Sequence, residues 1–137
     1  MSTFDVFTVA GSGMSAQSVR LNTVASNLAN AESVSSDPSQ VYKAKHPVFQ
    51  AAVSKGAQQA ATAVNVLGIT ESTAAPDSRY DPGNPLANAD GYVYTPSVNV
   101  VEEMADMISA SRSYQNNVEV MNTARNMLLD TLKLGQT

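Results

Sequence analysis

The side chains with the widest chemical reach here are one histidine, His46, and three closely spaced acids, Glu102, Glu103 and Asp106. A carboxylate cluster can serve general acid–base chemistry or hold a divalent cation, and a histidine can join either task. His46 precedes Pro47 and has no second imidazole with which to build a metal or triad site, so a structural or incidental role is expected. The three acids occupy the first turns of a helical pattern, where negative charge suits the positive end of the helix dipole. Gly11-Ser12-Gly13 lacks the Lys-Ser/Thr ending of a phosphate loop and is flanked on both sides by helical pattern. The methionines Met104, Met107, Met121 and Met127 could line an adaptable groove; at heptad spacing they read as a core or subunit seam. Nothing in these residues supports turnover, and no catalytic residue, metal or cofactor is expected.

Composition narrows the classes further. With 137 residues the chain has room for one domain with a modest core. Cys 0 excludes disulfide frameworks, zinc ribbons and thiol nucleophiles. A net charge of −4 with 8 Lys+Arg offers no basic stripe for a phosphate backbone, so no nucleic-acid partner is expected. No run approaches the roughly 18 to 20 apolar residues of a membrane span, and Met1 to Asn30 lacks the basic start and continuous apolar stretch of a cleavable signal. Charged residues make up 15% of the chain, against roughly 25% in a typical soluble domain. The deficit is uneven: Met1 to Asn30 carries only Asp5 and Arg20, whereas eight charges lie between Asn99 and Lys133.

The elements that position these residues are mainly helical. Phe7, Gly11, Met14, Ser18, Leu21, Ala25 and Leu28 recur in four-three steps, a heptad seam from Phe4 to Leu28. Ser2 and Asp5 can open this helix and Asn30 can close it. Gly11 and Gly13 each cost about 1 kcal/mol relative to Ala, so packing must supply its stability. Its other faces carry Thr8, Ser12, Ser15, Gln17, Asn22, Thr23, Ser26 and Asn27, polar but uncharged, as in a helix contacted around most of its circumference. A second helix begins at the cap Asn99, with Glu102 as capping-box partner, and runs through Val100, Met104, Met107, Ser111, Tyr114, Val118, Met121, Arg125, Leu128 and Leu132 to a stop at Gly135. A further stripe, Val101, Ala105 and Ile108, gives it more than one apolar face.

Between the helices, Val41-Tyr42-Lys43-Ala44 with Val48-Phe49, then Ala63 to Thr70, then Tyr92-Val93-Tyr94 read as short strands. Asp81-Pro82-Gly83-Asn84-Pro85 is a hard turn, and Ser33 to Gln40 and Ser54 to Ala61 are loops. The expected fold is mainly α with a small β element: an antiparallel, coiled-coil-like pair of terminal helices with a short β-hairpin-type insertion. The divisions are an N-terminal helix over 1–31, a β/extended insertion over 32–96 and a C-terminal helix over 97–137. The helix seam and subunit interface are expected at Phe7, Met14, Leu21, Leu28, Val100, Met104, Met107, Tyr114, Val118, Met121, Leu128 and Leu132.

Three stretches carry a family resemblance. They are Ala25-Ser26-Asn27-Leu28-Ala29-Asn30-Ala31; Tyr80-Asp81-Pro82-Gly83-Asn84-Pro85-Leu86-Ala87 with Asp90-Gly91-Tyr92-Val93; and Val98-Asn99-Val100-Val101-Glu102-Glu103-Met104 through Arg112, Tyr114 and Asn117 to Leu132-Lys133-Leu134-Gly135-Gln136. The chain resembles the bacterial flagellar axial proteins and, among these, the C-type basal-body rod proteins of the proximal rod. The general axial pattern continues its first motif into Thr-x-Gly-Tyr-Lys. Here Glu32-Ser33-Val34 leads through Asp37-Pro38 to Tyr42-Lys43, which favours the C-type over its B-type neighbour.

The resemblance implies a structural subunit without catalysis. It would be exported by the flagellar type III apparatus without a cleavable signal peptide and assembled in the periplasm into a hollow shaft that transmits torque and passes export substrates. Implied partners are other copies of itself, other rod proteins of the proximal and distal rod, and the membrane-ring and export-apparatus junction, without insertion into the membrane. A different class stays open: a soluble type III-secreted adaptor that binds partner proteins through paired helices. Deleting residues 1–30 separates a rod subunit, which loses incorporation, from a binding module seated in the middle segment, which keeps its activity.

Overall fold

The computed structural model describes residues 3–53 and 62–135. Two long helices, α1 (Thr3–Asn30) and α2 (Val100–Leu134), flank four strands: β1 (Lys45–Val53), β2 (Thr62–Glu71), β3 (Asp77–Tyr80) and β4 (Tyr92–Thr95). A 3-10 turn, Pro38–Gln40, links α1 to the strands. The mainly α architecture with a small antiparallel β element agrees with the sequence expectation. Ser2, the expected opening cap of α1, lies outside the described residues, as do Ser54 to Ala61.

The helices run antiparallel. Contacts pair Gly11 with Met121, Gly13 with Asn117, Arg20 with Asp106 and Asn27 with Glu103, so rising numbers on α1 meet falling numbers on α2. β1 and β2 pair antiparallel from Lys45↔Glu71 to Val53↔Thr62, with an irregularity between Val48 and Phe49. This hairpin lies along α1: Lys45 is bonded to Asn27, near the end of the helix, and the Val64 N–H reaches the Ser12 hydroxyl at 3.1 Å. α1 therefore packs against α2 and against both strands of the hairpin, whereas α2 packs extensively only on α1. The first helix is a middle layer, which is why it tolerates so little charge.

Five of the eight buried apolar residues among those described are alanines: Ala10, Ala16, Ala44, Ala110 and Ala124. Small side chains let elements approach closely but bury little area, so the larger apolar residues sit towards the surface. A Cβ added at Gly13 would stand 2.9 Å from the Asn117 amide nitrogen, whereas one at Gly11 meets only the Met121 methyl at 3.9 Å. Gly13 thus serves a close approach of the helices.

Three local expectations are corrected. Val41 to Ala44 is not a strand. Asp37 caps the 3-10 turn by accepting from the Ser39 N–H at 2.8 Å, Val41 and Ala44 turn inward, and pairing begins only at Lys45. β3 was not expected, because Asp77-Ser78-Arg79-Tyr80 is exposed throughout and shows no apolar alternation. It pairs with β4 because the turn between them fixes the register. Asn99 does cap α2, accepting from the N–H groups of Val101 and Glu102 at 3.1 and 3.4 Å, but Glu102 makes no return bond, and Gly135 ends the helix in right-handed geometry.

The turn between β3 and β4 is built from asparagines. The Asn84 side chain accepts from the Leu86 N–H at 3.0 Å, and that of Asn88 accepts from the N–H groups of Asp90 and Tyr92 at 3.0 and 2.9 Å. Gly91 has φ +80, and a Cβ there would lie 2.9 Å from the Tyr80 ring, which stacks edge-on with Tyr92 at 5.3 Å. Val93 is fully buried behind this turn. Ser35 and Tyr94 exchange two backbone bonds of 2.9 Å, tying the segment after α1 to β4.

Candidate functional site

The acids singled out in the sequence are placed at a junction of three elements. Asn27 on α1 is completely buried. Its amide nitrogen donates to the Lys45 carbonyl and to Glu103 Oε1, both at 2.9 Å. Its amide oxygen accepts from the Tyr42 hydroxyl at 2.9 Å and from the Lys45 N–H at 2.8 Å. Two donors and two acceptor positions are all an asparagine side chain possesses, so Asn27 is saturated. The Ser26 hydroxyl lies 3.0 Å from that of Tyr42. Because the one Tyr42 proton is committed to Asn27, Ser26 is the donor in that pair.

The junction joins the end of α1, the root of β1 and the first turn of α2. Glu103 is itself buried, and a buried carboxylate is tolerated only with such a partner. Two turns before Asn27, Arg20 Nη2 meets Asp106 Oδ1 at 2.8 Å with both side chains partly in water, a pair that contributes at most about 1 kcal/mol. The acids were read from sequence as dressing for a helix terminus; two of the three are instead engaged with α1. Together with His46 and Asn99 they edge an open polar cleft of about 360 Å³ in which Glu102 is the acid left without a partner. No group of three His, Cys, Asp or Glu among the described residues is arranged to hold a metal ion.

Both halves of the junction fall within recognisable sequence. Residues 7–34 match the family described as flagella basal body rod protein, and residues 89–134 match the flagellar basal body rod FlgEFG protein C-terminal family. Across 136 residues the chain is 52% identical to the flagellar basal-body rod protein FlgC of Salmonella typhimurium, covering 99% of this chain and 100% of that protein. It is 53% identical to the FlgC of Escherichia coli O6:H1 and 52% identical to that of Yersinia enterocolitica, each over 136 residues with the same coverage. The chain belongs to the FlgC family of flagellar basal-body rod proteins. These relatives are structural rod components of the flagellum rather than enzymes. No helix among the described residues is long and apolar enough to cross a membrane.

The residues matching the family motifs divide by place in this FlgC-family chain. Ser26, Asn27 and Glu103 meet in the junction. Asn117 faces Gly13 between the helices, and Asn30 closes α1 by donating to the Ser26 carbonyl at 2.8 Å. Asp81, Pro82 and Gly83 belong to the turn after β3, where the Asp81 N–H donates to the Gly91 carbonyl at 2.9 Å. Ala29, Asn99, Met104, Arg112 and Tyr114 are exposed, and Leu28 is half-buried. Tyr42, Lys45, Arg20 and Ser12 were not singled out as sites from sequence. Their partners lie 15 to 86 positions away, beyond the reach of any local pattern.

The expected seam is half-buried at Phe7, Met14, Leu21, Met107, Val118, Met121 and Leu128, and exposed at Val100, Met104, Tyr114 and Leu132. The buried apolar positions of the two helices are Ala10, Ala16, Val24, Ala110 and Ala124, mostly small residues beside that seam. Exposed apolar residues concentrate on α2: Val101 is 76% exposed, Ile108 54%, Met127 63% and Leu132 62%. On its flank an open groove of about 640 Å³ is lined by Val6, Asn116, Glu119, Val120, Thr123, Ala124 and Met127.

Proposed function

We propose that the chain is a structural subunit of the proximal rod, polymerising through its terminal helices into a hollow shaft that transmits torque and passes export substrates. The observation that carries this reading is the incomplete cover of α2: one face rests on α1, and the rest leaves large apolar side chains in water. Contiguous exposed apolar surface marks a contact surface, and contacts between unlike patches build an open stack when the rotation between copies does not close. In this reading residues 1–31 and 97–137 form the inner unit and 32–96 the insertion, which rests on α1. The partners are further copies, other rod proteins of the proximal and distal rod, and proteins of the membrane-ring and export junction. The location is the periplasmic part of the basal body, reached without a cleavable signal peptide.

Leu132→Asp in the full chain tests the reading, since Leu132 is exposed and a charge there leaves the monomer intact. The expected result is unchanged monomer helicity, loss of the chain from isolated basal bodies and loss of swimming. Normal basal bodies carrying the variant would refute it. Recovery of the wild-type chain only from the medium would favour the secreted adaptor.

A further inference from the structure

We propose that the ridge formed by Val101, Met104 and Ile108 on α2 docks into the groove over Val120, Thr123 and Met127 of a second copy of this chain lying in the same direction. This rests on the rod reading and names the contact between copies. Ridge and groove use the same step, three residues and then four, displaced by 19 positions along α2. At 1.5 Å and about 100° per residue, the groove lies about 28 Å further along the helix and about 100° around it. A neighbour that brings one onto the other is therefore both advanced and turned, a screw relation that does not close.

Nothing in the described chain covers either patch. α1 meets α2 on the side opposite the ridge, through Glu103, Asp106, Asn117 and Met121, and only edges the groove with Val6, while Val101, Met104, Ile108, Val120 and Met127 are 48 to 76% exposed. Charge fits the same register. Arg112 is exposed and forms no ion pair within the described residues. Four positions beyond the ridge, it comes level with residue 131 of the neighbour, beside the exposed carboxylate of Asp130. Asp130 is held at home only by a 3.5 Å contact with Lys133. A face-to-face pairing of two ridges in the same register would set Arg112 against Arg112.

The absence of cysteine makes cross-linking a clean test in isolated basal bodies. The double variant I108C/M127C places its thiols about 28 Å apart along one helix, far beyond disulfide reach within a chain. Oxidation is expected to give a ladder of linked copies, with I108C alone and M127C alone staying unlinked. In parallel, Arg112→Asp is expected to lower incorporation, and the exchanged pair R112D/D130R to restore it to near the wild-type level. A chain that enters basal bodies but gives no ladder, an I108C single variant that links to itself, or an exchange that restores nothing would overturn the ridge-in-groove contact while leaving the rod reading standing. Absence of the wild-type chain from basal bodies would remove the rod reading itself.

Discussion

Asn27 makes four hydrogen bonds from one buried amide, two to the backbone of Lys45 and one each to Tyr42 and to the buried Glu103. Leaving a buried donor or acceptor unsatisfied costs about 1 to 3 kcal/mol. Asn27→Ala is therefore expected to lower stability by about 3 kcal/mol in urea unfolding, against less than about 0.5 kcal/mol for Asn22→Ala on the exposed surface. Asn27→Asp should be no milder, since a carboxylate cannot donate to the Lys45 carbonyl and would confront Glu103. The two glycines of α1 separate in the same way. Gly11→Ala meets only ordinary contact and should gain about 0.5 to 1 kcal/mol of helix propensity. Gly13→Ala must displace the Asn117 amide and should gain less, a difference readable as unequal shifts in Tm. From sequence both glycines counted equally against the helix; only the neighbour at 2.9 Å distinguishes them. The polar character of Asn27 was visible, but its burial was not, because Tyr42, Lys45 and Glu103 come to it from distant parts of the chain.

At the scale of elements, the two helices were legible because a long apolar period and a cap such as Asn99 are local signals. The strands were only partly so. β2 follows its β-branched run, whereas the start of β1 is set by the Asn27 amide gripping both backbone groups of Lys45, and β3 has no pattern of its own. The 3-10 turn yields a pH prediction. Bonds from the Ser39 N–H and then the Ser39 hydroxyl hold the Asp37 carboxyl below its usual value of 3.8. A depressed folded-state pKa gives stability that is present above the unfolded value and is lost as pH falls through the folded one. Titration followed by carboxyl NMR should show Asp37 ionising below 3.8, and Ser39→Ala should raise its midpoint. Because the carboxyl is exposed, the effect should stay local to the turn.

For the molecule as a whole, the shared middle layer alters what truncation can report. Removing residues 1–30 takes away the support of α2 and of the hairpin together. The truncated chain is therefore expected to lose its cooperative thermal transition in circular dichroism, rather than to retain a working middle segment. The deletion that distinguished a rod subunit from a central binding module on sequence grounds cannot do so in this fold. The helix pair and its central position follow from composition: the near absence of charge before Asn30 marked a covered helix. That the cover on one side is the hairpin was not legible, since the bond from Val64 to Ser12 spans 52 positions.

A middle layer made from the first residues of a chain also sets an order of events. Synthesis delivers α1 first, yet Arg20 waits for a partner 86 positions later and Asn27 for one 76 positions later. Until about residue 106 has emerged, the earliest helix has neither its ion pair nor its buried acceptor, and closing so long a loop carries an entropic cost of its own. The nascent chain is thereby kept from settling early, and the last long helix to appear is the one that locks the first in place.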